Sequence, residues 1–162
     1  MTGEMLDLFG ERVRPASESP VPGIIRFFVA GIPESQGSLK AFTPKGWSRP
    51  IFTHDNPRLK RWRELIASVA QQHLPEGGLL VGPVAVRAHF VWPWPASAPK
   101  KRRPMWKTTA PDLDRATRGL GDALTGVIWR DDRLVCRWTV EKRYGETPGV
   151  HVEVAPLEDV RR

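Results

Sequence analysis

Residues 24 to 29, Ile-Ile-Arg-Phe-Phe-Val, are almost continuously apolar and β-branched or aromatic, and Gly31 and Pro33 close the run, which predicts a buried strand. The stretch that follows, PESQGSLKAFTPKGWSRPIF, is punctuated by Gly37, Pro44, Gly46 and Pro50. It reads as a long loop, either functional or mobile. Asn56-Pro57 then marks a helix start, because an asparagine side chain accepts from orphan backbone N–H groups and proline at the first helical position loses nothing. Trp62, Leu65, Ile66 and Val69 recur at helical spacing and are expected to face the core, with Arg58, Lys60, Arg61 and Arg63 largely elsewhere. This helix should end before Pro75 and Gly77-Gly78.

Val84, Val86, Ala88, Phe90 and Trp92 alternate with Ala85, Arg87, His89 and Val91, the period of a strand with one buried face. Residues 93–111 contain five prolines and the densest charge run, Lys100 to Arg103, so they predict irregular structure. Leu113, Ala116, Leu120, Ala123, Leu124 and Val127 form one helical stripe with Gly126 as its C-cap. Leu134 to Val140 and Val150 to Val154 alternate as two strands, and the short connection around Tyr144-Gly145 to Gly149 predicts an antiparallel hairpin. The order β, loop, α, β, basic loop, α, β, β predicts an α+β fold, a single mixed sheet of about four strands with two main helices.

Length changes this picture little: 162 residues, 40% of them hydrophobic, suit one domain. That domain is expected over residues 24–157, after a flexible lead-in at 1–23 whose residues 11–23 hold three prolines and two serines, and before a short tail at 158–162. Charge changes it more. Lys and Arg number 25 against 18 Asp and Glu, a net 25 − 18 = +7, which points to a polyanionic partner, most commonly nucleic acid. The cations gather in the two loops, at Lys40, Lys45 and Arg49 and at Lys100, Lys101, Arg102, Arg103 and Lys107, with Trp106 placed to stack on a base. A lone cysteine, Cys136, excludes an internal disulfide, and no Cys/His spacing suits structural zinc. No apolar run approaches the roughly 20 residues of a membrane span, and no basic segment precedes an apolar one at the start. A cytoplasmic protein without membrane contact is expected.

The candidate chemistry lies in the acids. On a helical wheel Asp114, Arg118 and Asp122 fall opposite the apolar stripe of the second helix. Asp112 precedes that helix, and in extended backbone residues two apart point the same way, so Asp112 and Asp114 can meet. Two close carboxylates repel unless a cation lies between them, and hard oxygen ligands suit Mg²⁺. Asp131-Asp132 stands at a strand entrance, where neighbouring side chains diverge, so one of the two can join the first pair. Alone, Asp-x-Asp is more commonly a helix N-cap and Asp-Asp a turn. Together with an arginine and a basic loop they make a workable phosphodiesterase site.

The block PDLDRATRGLGDALTGVIWRDDRLV, residues 111–135, resembles the RusA family of Holliday junction resolvases, known from bacteria and phages. Asp112 and Asp114, Asp122-Ala123-Leu124, Trp129 and Asp131-Asp132 stand at matching positions. GIPESQGSLKAF, residues 31–42, is similar to the family's first strand and basic loop, and the resemblance covers about residues 24–155. It implies a homodimeric, Mg²⁺-dependent endonuclease, with Mn²⁺ as a possible substitute, that resolves four-way DNA junctions by paired nicks in recombination and repair. It further implies Asp112, Asp114 and Asp132 as catalytic metal-binding carboxylates, with Asp131 a weaker candidate. Arg118 occupies the place of a functional lysine. Arginine keeps the charge and forks onto phosphate but gives up no proton readily, so it favours electrostatic stabilisation over general acid catalysis. Arg115 replaces an asparagine and joins the DNA-binding set, and Leu134 replaces a common glutamine. Symmetric nicks require two sites related by a twofold axis. Phosphate contacts predict salt-sensitive binding with junctions selected by shape, in a bacterial or phage-encoded protein associated with the nucleoid. Two other readings stay open: a DNA-binding protein whose Arg115 and Arg118 bridge the carboxylates and block catalysis, and a nuclease for flaps or nicks.

Overall fold

The computed structural model describes residues 23–35, 40–49, 51–53 and 56–158, with the backbone alone for 40–42 and 51–53. The expected lead-in over 1–22, the tail from 159 onward and the side chain of Lys40 lie outside the described residues. Period-two burial builds the main sheet. β1 (Ile25–Ala30) buries Ile25, Phe27 and Val29, β4 (Val84–Trp92) buries Val84, Val86, Ala88, Phe90 and Trp92, and β6 (Gly149–Pro156) buries Val150, Val152 and Val154. With β5 (Val135–Tyr144) the order is β1-β6-β4-β5. β6 runs antiparallel to both β1 and β4, whereas β4 and β5 are parallel. The sheet is therefore mixed and four-stranded, in an α+β fold.

α1 (Pro57–Gln71) begins as its sequence requires: Asn56 Oδ1 accepts from the backbone N–H groups of Arg58 and Leu59 at 3.1 and 3.4 Å. Its Leu59, Trp62, Ile66 and Ala70 are buried. α2 (Leu113–Leu124) buries Ala116, Gly119, Leu120, Ala123 and Leu124. Trp62, Ile66 and Ala70 of α1 join the sheet's buried residues and α2's larger apolar side chains in one core that also holds Ile128 and Trp129.

The structure corrects four expectations. The last two strands are not a hairpin. The chain leaves β5 at Tyr144, steps over the end of β4, where Gly145 N–H donates to the Trp92 carbonyl at 2.9 Å, and returns as β6 on β4's other side. A short connection can span two strand spacings, over one intervening strand, as well as reverse beside its own strand, so length alone did not decide the pairing. The long early loop contains an antiparallel ribbon of β2 (Lys40–Phe42) and β3 (Ile51–Thr53), each too short to carry a periodicity. Leu65 is 42% exposed, because the buried stripe of α1 runs through Leu59, Trp62, Ile66 and Ala70 instead. Finally, α2 ends at Leu124, and Gly126, with φ +78, follows its C-cap Thr125.

Gly149 is constrained by space rather than by its backbone angle: a Cβ there would strike the Val29 carbonyl oxygen and the Phe28 ring. That carbonyl belongs to the β1 backbone and cannot rotate away. Gly149→Ala should lose about 1–3 kcal/mol or more in urea unfolding. Gly77→Ala, with nothing within 4 Å of the new methyl, should stay within about 0.5 kcal/mol of the parent.

Candidate functional site

Because α2 buries one face, Asp114, Arg118 and Asp122, spaced four apart, form a row on the opposite one. That row lines a cleft of about 560 Å³ whose other wall is the entrance to β5, contributing Asp132, Val135, Trp138 and Val140. Its floor is aromatic. Trp129 is fully buried, its indole N–H donating to Thr125 Oγ1 at 3.1 Å, and it meets Trp138 edge to face with ring centroids 6.3 Å apart. Gly121 faces the Trp138 ring, 3.6 Å from where a Cβ would stand, which is ordinary contact distance.

Asp131 and Asp132 stand at a 3₁₀ turn rather than on a strand, with their carboxyls close enough to interact. A 3₁₀ turn (Asp132–Leu134) starts at Asp131, whose Oδ1 accepts the Arg133 backbone N–H at 3.0 Å. The Arg133 guanidinium then forks onto both oxygens of Asp131, at 2.9 and 2.8 Å. This hydrogen-bonded guanidinium holds the Asp131 carboxyl well below the usual carboxylate range, and the backbone N–H adds to the effect. Asp131 is thus committed to Arg133, and Asp132 is the member of the pair that lines the cleft.

Asp112 is elsewhere. It holds the N-cap position of α2 in extended backbone, yet its side chain makes no capping bond. Its carboxylate is 66% exposed and lies 3.5 Å from the Arg115 guanidinium, outside the cleft lining. The structure therefore brings Asp114, Asp132 and Arg118 together and leaves Asp112 and Asp131 with arginine partners. Among the described residues no three His, Cys, Asp or Glu side chains stand close enough to share one metal ion. A ready-made cage of Asp112, Asp114 and Asp132 is not present, and the turn of Asp112 toward Arg115 is the physical reason.

Sequence reasoning did not count Asp122 and Trp138 in the site. Asp122 bonds Arg63 of α1, tying the two helices together at the cleft. Its place eight residues after Asp114 was the available signal. Lys107 needs the opposite correction. Grouped by sequence with the solvated cations, it is 8% exposed: its ammonium donates to Thr109 Oγ1 at 2.8 Å and sits 5.6 and 5.2 Å from the rings of Trp92 and Tyr144. It holds the loop rather than facing solvent. Lys100, Lys101, Arg102 and Arg103 are exposed, with Arg103 stacked on Trp94 at 4.9 Å, and Lys45 and Arg49 are exposed between β2 and β3. Trp106 is 49% exposed. A second concavity lies on the open face of the sheet, lined by Arg26, Arg87, His89, Arg143, His151 and Glu153 among others. There Arg26 pairs with Glu153 at 2.6 Å, and burial followed by the Arg143 charge pushes the His151 pKa down. It is remote in sequence from the acid block and contributes none of its residues.

Comparison with known proteins gives the family. The family described as Endodeoxyribonuclease RusA matches residues 41–155. The "Uncharacterized protein YqaN" of Bacillus subtilis (strain 168) is 32% identical over 138 residues, covering 80% of this chain and 94% of that protein. The chain belongs to the RusA endodeoxyribonuclease family, a family of Holliday junction resolvases, which are hydrolases and generally depend on a divalent metal. Among the described residues no helix is long and apolar enough to cross a membrane.

The Asp131–Arg133 pair has a signed pH consequence. A carboxyl with a lowered folded pKa contributes stability above its unfolded value near 3.8, and loses it as pH falls through the folded value. In an NMR titration the Asp131 carboxyl should remain ionised while ordinary aspartates protonate. Arg133→Ala should return its midpoint toward 3.8.

Proposed function

We propose that this protein is a divalent-metal-dependent endonuclease that resolves four-way DNA junctions by paired nicks, acting as a homodimer in recombination and repair. The observation that carries the reading is the shared cleft of Asp114 and Asp132 with Arg118 between an aromatic floor and solvent. Carboxylate oxygens are hard donors, and Mg²⁺ is commonly held by one or two carboxylates while waters and substrate phosphates complete the shell. Asp114 and Asp132 fit that mode, so a three-carboxylate cage is not required before DNA arrives. Mg²⁺ is the proposed ion, with Mn²⁺ as an alternative. When bound there, it would supply Lewis-acid activation of water and phosphate.

This chain's residues then have separable duties. Asp114 and Asp132 hold the ion. Arg118 stabilises charge on the scissile phosphate without giving up a proton. Trp129 and Trp138 give the cleft a dry floor, which strengthens these charge interactions. Lys45, Arg49 and Lys100 to Arg103 grip the backbones of the DNA arms, and Lys40 is assigned to the same group from its position in the sequence. Arg115, exposed beside Asp112, would contact a DNA phosphate at the start of α2, and Asp112, the third acid the family resemblance implies, would be a further ligand for the ion.

The Arg115–Asp112 contact also supports a second reading, a junction-binding protein in which arginines occupy the acids and catalysis is lost. Divalent-dependent nicking of a synthetic four-way junction, compared with a flap and a linear duplex, separates the two. The expected result is preferential cleavage of the junction. Asp114→Asn should reduce that cleavage by at least about a hundredfold while junction affinity stays the same or tightens. Junction binding with no cleavage in any divalent ion, together with no Mn²⁺ binding in calorimetry, would establish the second reading.

A further inference from the structure

β5 touches the acid region at both of its ends. Its entrance carries Asp132, and ten residues further on the Lys142 ammonium donates to the main-chain carbonyls of Thr109 at 2.9 Å and Pro111 at 2.6 Å. The Pro111 carbonyl belongs to the peptide that leads directly into Asp112 and α2. This anchorage takes the place of a missing one: Asp112 stands at the N-cap but makes no capping bond, so its own side chain does not fix the angle at which the helix begins. Around the same carbonyls, Thr109 Oγ1 contacts the Tyr144 hydroxyl at 3.0 Å and receives the Lys107 ammonium at 2.8 Å. Two lysines, a threonine and a tyrosine thus bolt the last residues before the Asp-x-Asp pair onto β5.

We propose that Lys142 is a positioning residue for the nuclease site: by gripping the Thr109 and Pro111 carbonyls it holds the start of α2, and with it Asp112 and Asp114, at a fixed place relative to Asp132. The role rests on the endonuclease reading above. Lys142 acts through hydrogen bonds to backbone, a job the neutral amide of glutamine can do in part and a methionine cannot. Losing the grip shifts the carboxylates rather than the DNA contacts. A misplacement of about 1 Å is enough to cost on the order of a hundredfold in rate.

The test compares wild type, Lys142→Met and Lys142→Gln in the full chain. Hydrogen exchange reads the grip without reference to activity: the amides of residues 116–118, the first to donate within α2, should lose at least tenfold protection in Lys142→Met and recover part of it in Lys142→Gln. Protection of β4 and β6 should stay at the wild-type level. Single-turnover cleavage of a four-way junction should show a maximal rate about a hundredfold lower in Lys142→Met, partly rescued in Lys142→Gln, with junction Kd within threefold. Unchanged exchange at 116–118 in Lys142→Met overturns the proposal, and so does a rate loss matched by an equal loss of junction affinity. If wild type cleaves no branched DNA, the endonuclease reading falls, and the catalytic purpose of Lys142 falls with it. In that case the exchange data still report whether the grip itself exists. Should Lys142→Met unfold outright, Lys142→Gln carries the same comparison, with intermediate rate and protection supporting the proposal and wild-type values in both overturning it.

Discussion

Parallel pairing of β4 with β5 is the constraint from which the site follows. Parallel strands cannot be joined by a tight turn, because the chain must travel back along the sheet before the second strand begins. Here it leaves β4 at Trp92 and re-enters at Val135, and the return includes the basic loop and α2. α2 has to bury its apolar stripe on the sheet to be stable, which turns Asp114, Arg118 and Asp122 away from the core. Since the return ends where β5 starts, that polar row lies against the entrance of β5 and Asp132. The cleft is the space left between a crossover helix and the strand it delivers.

The same pairing makes β5 an edge strand, a position that natural sheets protect. Its far end is covered by the basic loop: Trp106 bridges Arg143, and Tyr144 N–H donates to the Met105 carbonyl at 2.8 Å. The buried Lys107 and the Lys142 bonds extend this seam toward α2. One strand therefore carries the loop with the exposed cations, the start of the acid helix and the turn that presents Asp132. The cationic loop and the acid helix are both seamed to β5.

Much of the fold was legible because burial imposes periodicity. The alternation of Val84 to Trp92 and the stripe from Ala116 to Leu124 each have a single physical explanation, and the Asn56-Pro57 start has one as well. Pairing was not legible, since period two says which face of a strand is buried but not which neighbour it meets; β5 and β6 look like a hairpin until β4 is seen between them. β2 and β3 were hidden by their length of three residues each. At the site, helical spacing placed Asp114 and Arg118 on one face, whereas the different settings of Asp131 and Asp132 come from a 3₁₀ turn and the Arg133 fork, not from strand alternation. The fate of Asp112 and Lys107 depended on contacts with Arg115, Trp92 and Tyr144, and no spacing rule predicts which partner a long cation chooses.

Those partner choices explain why so acidic a region is stable before any cation arrives. Carboxylates drawn together without positive charge between them raise one another's pKa and push apart. Here Asp112 has Arg115, Asp122 has Arg63 and Asp131 has Arg133, so the acids are neutralised one by one rather than gathered. Exposed pairs of this kind are worth little, which makes them easy to exchange. A phosphate offered to Arg115 competes with Asp112 on nearly even terms, whereas Asp131, gripped by both a guanidinium fork and a backbone N–H, has more to lose. The acids therefore differ in what holds them: Asp114 and Asp132 line the cleft, Asp112 lies outside it beside Arg115, and Asp131 is held by Arg133 as the cap that shapes the turn.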